Sequence, residues 1–203
     1  MTEPGRRRGR PPIRREQLLD TALRLFQCQG FHAVGIDRIL AEAGVAKMTL
    51  YKHYGSKQAL IVAALERKNA LFLARLRAAL DEVEGGPRDR LLAVFDVFGA
   101  WFAEPDFHGC IFVKAAGEYP DFSDPIHAAA ADYKRQLLAE LVELARAAEA
   151  PSPRLLAQRL LLLLEGAAAL AQVLGGAEAA RQARDTAALL LRQMLPQESA
   201  QAA

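Results

Sequence analysis

Cysteine is scarce in this sequence, which has two in 203 residues, Cys28 and Cys110. Neither belongs to a C-x-x-C pair, and two thiols are too few for the disulfide framework of a small secreted domain. His108 and Cys110 lack a third metal ligand at useful spacing, with His127 the only distant candidate. The two cysteines fall in different predicted domains. We therefore expect no disulfide between them, no metal site and no cofactor.

Recognisable catalytic patterns are also missing. The sequence contains no H-E-x-x-H, no glycine-rich phosphate loop, no nucleophile–base arrangement and no paired carboxylates. We expect a protein that is not an enzyme. An all-helical small-molecule carrier is the alternative from another functional class.

Alternating strand patterns are absent, while alanine and leucine dominate. Helix caps and breaks therefore predict an all-α fold of about nine helices. A chain of 203 residues can bury a substantial core. The helices are expected at residues 14–29, 36–43, from 47, 57–80, 87–102, 110–117, 125–150, 153–175 and 177–195.

The sequence shows neither a secretory signal nor a convincing membrane span. Its basic N-terminus lacks an apolar segment. The apolar stretch 155–174 is interrupted by Arg159 and Glu165, so a buried helix explains it better than a transmembrane one. We expect a cytoplasmic protein that does not bind membranes.

Positive charge is concentrated at the front of the chain. Residues 1–60 carry 11 Lys and Arg against 5 Asp and Glu, a balance of +6, and the remainder has 15 against 19, or −4. This asymmetry indicates that the front meets a polyanion. A disordered basic arm is expected at residues 1–13. It is either a solubilising tail or an arm that follows DNA phosphates or enters a minor groove.

A helix-turn-helix pattern lies at residues 36–57. Ile36, Ile39, Leu40 and Ala43 are spaced along one helical face, and Gly44 then suits the left-handed position after a helix. A second helix begins near residue 47, with its inner face at Leu50 and Tyr54. A short second helix with a basic outer face is typical of a DNA-reading unit.

The outer face of this second helix and the start of the next one carry side chains suited to DNA. Lys47, Lys52 and Lys57 can neutralise phosphates, and Tyr51 and His53 can donate hydrogen bonds to them. Met48 and the Thr49 methyl group can contact a thymine methyl group, and Lys52 can reach guanine acceptors. Arg38 of the preceding helix is a further candidate. Asp37 would either repel phosphate or accept from a cytosine amine. These eight candidate DNA contacts are Arg38, Lys47, Met48, Thr49, Tyr51, Lys52, His53 and Lys57.

The sequence resembles the TetR family of transcriptional regulators over residues 14–65. The matching residues are Gly30-Phe31, Ile36-x-x-Ile39, Ala43-Gly44-Val45 and Thr49-Leu50-Tyr51-x-His53-Tyr54-x-Ser56-Lys57. The resemblance implies a homodimer that binds a pseudo-palindromic operator in double-stranded DNA. It further implies repression that a small-molecule effector relieves, with an activator as the runner-up.

The resemblance also implies roles and domains. Lys47, Met48, Thr49 and Lys52 match the start and face of the recognition helix. Tyr51, His53 and Lys57 match positions that commonly hold phosphates. The expected division is a DNA-binding domain at 14–60 and a ligand-binding and dimerisation domain at 61–203.

Two positions depart from the family pattern. Gly35 and Ala46 stand where the family usually has hydroxyl residues that cap the two helices. Glycine is a tolerable N-cap and alanine a poor one. We therefore expect weak caps at the start of both helices, and the missing hydroxyl groups remove two expected phosphate contacts.

Aromatic residues gather in the middle of the C-terminal region. They are either ordinary core or the lining of a ligand pocket between helices, which the polar tips of the tyrosines would suit. Cys110 nearby is either a small buried apolar residue or a reactive thiol. The candidate pocket residues are Phe98, Trp101, Phe102, Phe112, Tyr119 and Tyr133.

The last two predicted helices are too apolar for the surface of a monomer. We expect a four-helix dimer seam there, the alternative being burial within one subunit. Glu165 would pair with Arg159 or with an arginine of the last helix. The candidate interface residues are Leu163, Ala167, Leu170, Ala171, Ala188 and Leu191.

Overall fold

The computed structural model of the protein describes residues 11–196, with side chains from residue 14. All regular secondary structure in this range is helical, as predicted. The nine helices are α1 (Pro11–Gln29), α2 (Ile36–Ala43), α3 (Lys47–His53), α4 (Lys57–Asp81), α5 (Pro87–Phe102), α6 (Ile111–Glu118), α7 (Pro125–Ala147), α8 (Pro153–Leu174) and α9 (Gly176–Met194).

The start of α1 differs from the prediction. The helix begins at Pro11 instead of residue 14, so residues 11–13 of the expected disordered arm are helical. Proline fits the first helical turn because its missing N–H would have no partner there. Residues 1–10 of that arm lie outside the described residues.

Polar caps begin two of the helices as the sequence indicates. Ser56 Oγ accepts from the Ala59 N–H at 3.0 Å, and Asp124 Oδ1 accepts from the Ile126 N–H at 2.7 Å. Ser152 also precedes a helix but makes no side-chain cap, since its backbone lies at φ −134°, ψ 75°. Helix α8 therefore starts with Pro153 alone as its local signal.

The helices form two groups joined mainly by α4. Helix α1 packs on α2, α3 and α4. In the second group, α7 packs on α4, α5, α6 and α8, while α9 packs on α5 and α8. Since α4 has 25 residues, it spans about 37 Å at 1.5 Å per residue. It therefore belongs to both groups.

Aromatic rings fill the centre of the second group. Phe72 of α4 meets Phe98, Trp101 and Tyr133 at ring-centroid distances of 5.2, 5.7 and 5.8 Å. All are edge-to-face contacts, the arrangement that aromatic quadrupoles favour. The prediction that the helix at 87–102 is central is confirmed, because its buried residues include Leu91, Val94, Phe95, Phe98, Trp101 and Phe102.

Helix α8 is long and apolar enough to cross a membrane by length and composition alone. In the structure, one stripe of α8 packs between α7 and α9. Its Leu156, Leu160 and Leu164 are fully buried there. This is the packing of a core helix in a helical bundle.

Candidate DNA interface and ligand slot

The turn between α2 and α3 has the predicted geometry. Gly44 is left-handed, with φ 62° and ψ 33°. Its N–H donates to Ala41 O at 3.3 Å, and the Val45 N–H donates to Leu40 O at 3.2 Å. These bonds satisfy carbonyls that the end of α2 would otherwise leave free.

Neither helix of the pair has a side-chain cap. Gly35 and Ala46 both have extended backbone angles and no cap hydrogen bond from a side chain, as predicted. Helix α3 has only seven residues, and its single buried residue is Leu50. Such a helix is too short to form alone in water. Its stability therefore depends on packing at Leu50.

The remaining face of α3 is open to solvent. The Met48 side chain is 74 % exposed and Tyr51 is 46 % exposed. Lys47 and Lys52 are also exposed, while Thr49 and His53 are half-buried. A methionine this exposed contributes little to the core, and its side chain is accessible from solvent.

Two charged side chains of α2 are engaged within the protein. Arg38 donates to Glu42 Oε1 at 3.1 Å and to Gln29 Oε1 at 2.5 Å, and Arg24 also donates to Glu42 at 2.7 Å. These hydrogen bonds from Arg24 and Arg38 lower the pKa of Glu42. Arg38 is therefore less available to DNA than the sequence suggested.

Asp37 has a partner that neither sequence hypothesis anticipated. Its Oδ1 lies 3.6 Å from Lys47 Nζ, across the turn between the helices. Both side chains are mostly exposed, so the pair adds little stability. It does partly neutralise Lys47 in the absence of DNA.

Lys57 is placed differently from the other two candidate lysines. It is half-buried at the start of α4. Burial lowers the pKa of Lys57, and the nearby Glu118 carboxylate of α6 acts in the opposite direction. The charge of Glu118, in the second helix group, therefore acts on Lys57.

Three of the six predicted pocket residues line a closed slot among α1, α4, α5, α6 and α7. They are Trp101, Phe112 and Tyr133, joined by Phe72 and Cys110. The rings of Phe112 and Tyr133 are stacked with centroids 3.9 Å apart. The slot has about 10 Å³ of free space, which holds at most one water molecule.

The other three predicted pocket residues lie elsewhere. Phe98 and Phe102 pack beside Trp101, with centroids 5.8 and 5.5 Å from its ring, and do not line the slot. Tyr119 also lies outside the slot, and its ring lies 4.7 Å from the ring of His32, which follows α1. Residue spacing could not show this, because Tyr119 follows α6 and meets a distant segment.

The partner predicted for Glu165 is also wrong. Its Oε1 accepts from Lys134 Nζ of α7 at 2.5 Å, not from Arg159 or an arginine of α9. Lys134 Nζ lies 3.5 Å from Cys110 Sγ. Burial raises the pKa of Tyr133 well above its usual value, with smaller contributions from Cys110 and Glu165. The neutral phenol therefore persists in the slot.

The candidate dimer residues divide by burial. Ala167, Ala171 and Leu191 are buried within the subunit and expose little surface to a partner. Leu163 and Ala188 are half-buried, and Leu170 is 49 % exposed. Sequence periodicity does not distinguish two apolar stripes on one helix. The exposed apolar residues of α8 and α9 include Leu162, Leu170, Val173, Leu174 and Leu189.

Two family profiles match the chain. Residues 18–64 match the bacterial regulatory proteins of the tetR family, and residues 87–187 match the tetracyclin repressor-like C-terminal domain. Among solved structures, a TetR-family regulator of Streptomyces coelicolor, SCO4454, superposes with a TM-score of 0.84 at 31 % identity. That superposition covers 90 % of this chain and 96 % of the other. The reduced form of Escherichia coli NemR gives 0.81 at 28 % identity, covering 92 % and 98 %.

One curated relative is a transcriptional repressor and another is an activator. The transcriptional repressor NemR of Escherichia coli K12 is 35 % identical over 116 residues, 57 % of this chain and 58 % of that protein. The transcriptional activator FasR of Mycolicibacterium smegmatis is 41 % identical over 108 residues, 52 % of this chain and 48 % of that protein. The chain thus spans about half the length of these curated relatives.

The helix-turn-helix geometry, the helical second group and both profile matches agree with one another. No catalytic function is associated with this family. The chain belongs to the TetR family of helix-turn-helix transcriptional regulators.

Proposed function

We propose that the protein is a dimeric transcriptional repressor that binds a pseudo-palindromic operator and leaves it when a small molecule occupies the second helix group. The observation that carries the proposal is the open face of α3, with Lys47, Met48, Tyr51 and Lys52 exposed on one short helix. Such a face fits the major groove. The protein would act in the cytoplasm.

The residues of this face divide by chemistry. Lys52, Tyr51 and His53 would position the helix on phosphates. Met48 and Thr49 would contact a thymine methyl group. Lys47 would exchange its contact with Asp37 for a phosphate, and Arg38 and Lys57 would contribute at the edge of the interface.

A gel-shift assay with the DNA upstream of the protein's own gene tests the proposal. We expect one specific complex at moderate salt that competitor DNA of unrelated sequence does not remove. An intact protein that forms no specific complex there or with a random-sequence pool would refute operator binding.

Lys52→Ala is expected to reduce operator affinity through loss of a phosphate contact. Removing one such contact should lower the slope of log affinity against log salt by about 1. Fluorescence anisotropy between low and moderate salt measures this slope. If Lys52 instead reads guanine, the slope stays constant and preference relaxes at one operator position.

Tyr51→Ala and His53→Ala should weaken binding to all sequences, and wild-type affinity in all three variants would mean that α3 does not read DNA.

The closed slot is the proposed effector site. Its Trp101, Phe112 and Tyr133 walls leave no room for a ligand in this state. An effector would therefore favour an open state. The free energy by which it shifts the equilibrium equals the difference between its binding free energies for the open and closed states. A state with differently spaced recognition helices would release the operator. Activation of transcription is the alternative, and a reporter gene behind the operator distinguishes the two signs.

Cys110 offers a second way to open the slot. Because its half-buried thiol lines a space of about 10 Å³, any group added to sulfur would displace a wall. The solved NemR structure is described as a reduced form. If modification of this thiol is the signal, Cys110→Ser should retain operator binding and lose its response to oxidants, as measured by anisotropy. An unchanged oxidant response in the variant would exclude this route.

A further inference from the structure

Helix α6 touches the end of α1 through two charged side chains. Lys114 and Glu118 are four residues apart and so lie on one face of α6. Lys114 Nζ donates to Gln27 O at 2.6 Å. Glu118 accepts from the Phe31 N–H at 2.9 and 3.0 Å and from the His32 N–H at 2.6 Å. These contacts join segments that are 86–87 residues apart in the chain.

The charges of this pair match the end of α1. A helix C-terminus exposes carbonyl groups and partial negative charge, yet α1 has no basic residue in its last turn. Lys114 supplies that cation from another helix. Glu118 takes the free N–H groups of the residues that follow, and hydrogen bonds to a carboxylate are stronger than neutral ones.

The turn after α1 is shaped to receive the carboxylate. Gly30 has φ +85°, and a Cβ there would lie 2.5 Å from Glu118 Oε1. His32 Nε2 is 3.0 Å from Glu118 O, and the Tyr119 ring lies over His32 at 4.7 Å. Any side chain at position 30 would therefore displace Glu118.

The opposite end of α6 forms a wall of the ligand slot. Ile111 and Phe112 line it, together with Gln27 at the end of α1. Phe112 and Glu118 are six residues apart, or about 9 Å along the helix axis. A short helix moves as a unit, so a shift at Phe112 is transmitted to Glu118.

We propose that Lys114 and Glu118 act as an interdomain clamp, which positions the DNA-reading helices and is released when Phe112 is displaced from the slot. The proposal rests on the function proposed above and names the residues that connect its two sites. Helix α4 is one connection between the two helix groups, and with this connection alone the first group could pivot. The clamp is a second connection away from α4, and two connections fix an orientation that one does not. Because α1 packs on α2 and α3, fixing the end of α1 also fixes the recognition helix.

Hydrogen exchange of the full-length protein tests the clamp without DNA. In Glu118→Gln, a side-chain NH₂ replaces one acceptor, and we expect the Phe31 and His32 amides to exchange at least about tenfold faster than in wild type. Glu143→Gln is the matched control, since Glu143 pairs with neighbouring Arg146 on the exposed face of α7. Equal protection of Phe31 and His32 in wild type and Glu118→Gln would overturn the proposal.

Operator spacing tests the positioning role. One base pair inserted between half-sites separates them by about 3.4 Å, and a clamped wild-type dimer should lose about tenfold or more in affinity. We expect Glu118→Gln to bind the best operator less tightly and to show a smaller spacing penalty. An equal loss on every spacing would indicate a merely structural role and refute the clamp. If wild type binds no operator, the repressor proposal fails, while the exchange result still decides whether the contact exists.

Glycine substitutions give a second variant. Gly30→Ala should displace Glu118 and reproduce the relaxed spacing preference. Gly55→Ala has a similar φ of +77° with nothing within 4 Å of the added Cβ, and because Gly55 lies in the helix-turn-helix unit the two variants are compared by amide exchange without DNA. Gly30→Ala should speed exchange of the Phe31 and His32 amides and Gly55→Ala should not, and faster exchange in both variants would contradict the clamp.

Discussion

Leu50→Ala is expected to abolish operator binding by unfolding the recognition helix. Leu50 is fully buried and is the only buried residue of α3. Truncating a buried leucine costs about 2–5 kcal/mol. Helix α3 has seven residues and no side-chain cap, so local interactions cannot replace the lost packing. We expect the first helix group to unfold at lower temperature than the second.

Thermal unfolding by circular dichroism and anisotropy with operator DNA measure this effect. Met48→Ala is the matched control on the same helix, because Met48 is 74 % exposed. It should leave the melting temperature unchanged and alter only the preference for thymine in the operator. A Leu50→Ala protein that melts and binds like wild type would show that α3 is held by something other than Leu50.

Leu170→Arg is expected to convert the proposed dimer into monomers and reduce operator affinity by a large factor. Leu170 is 49 % exposed on α8, near Leu162, which is 73 % exposed. In a dimer seam, a buried arginine without a partner would be strongly unfavourable. Loss of the dimer removes the high effective concentration of the second recognition helix, which contributes about 100-fold or more to affinity.

Sedimentation of the free protein and anisotropy with full and half operators measure these changes. Leu71→Arg is the control, since Leu71 is similarly exposed, at 52 %, but lies on α4. We expect it to remain dimeric. A Leu170→Arg protein that stays dimeric and binds the full operator normally would exclude this face as the seam.

Local sequence signals were sufficient for the nine helices and for most of their ends. Gly44 is left-handed, Ser56 and Asp124 cap their helices, and Gly35 and Ala46 leave theirs uncapped. Each feature depends on residues a few positions apart, where backbone conformation and short-range hydrogen bonds dominate. Sequence spacing therefore predicts most of them, although Ser152 precedes α8 without capping it.

Sequence spacing did not predict the partners of long charged and aromatic side chains. Glu165 pairs with Lys134, and Tyr119 meets His32 instead of the slot. In each case the contact joins helices whose relative placement follows from packing of the whole core. Many arrangements satisfy the same local pattern, so spacing cannot select among them.

The sequence by itself determined that the chain is all-helical and that residues 36–57 form a helix-turn-helix unit. It also determined that positive charge is concentrated in the first 60 residues of the chain. Helical periodicity, glycine backbone freedom and net charge are properties of local stretches. The tertiary structure alone decided that Glu165 pairs with Lys134, that the slot is closed and that Glu118 binds the end of α1. These contacts join residues far apart in the chain, and only the packing of the folded helices brings them together.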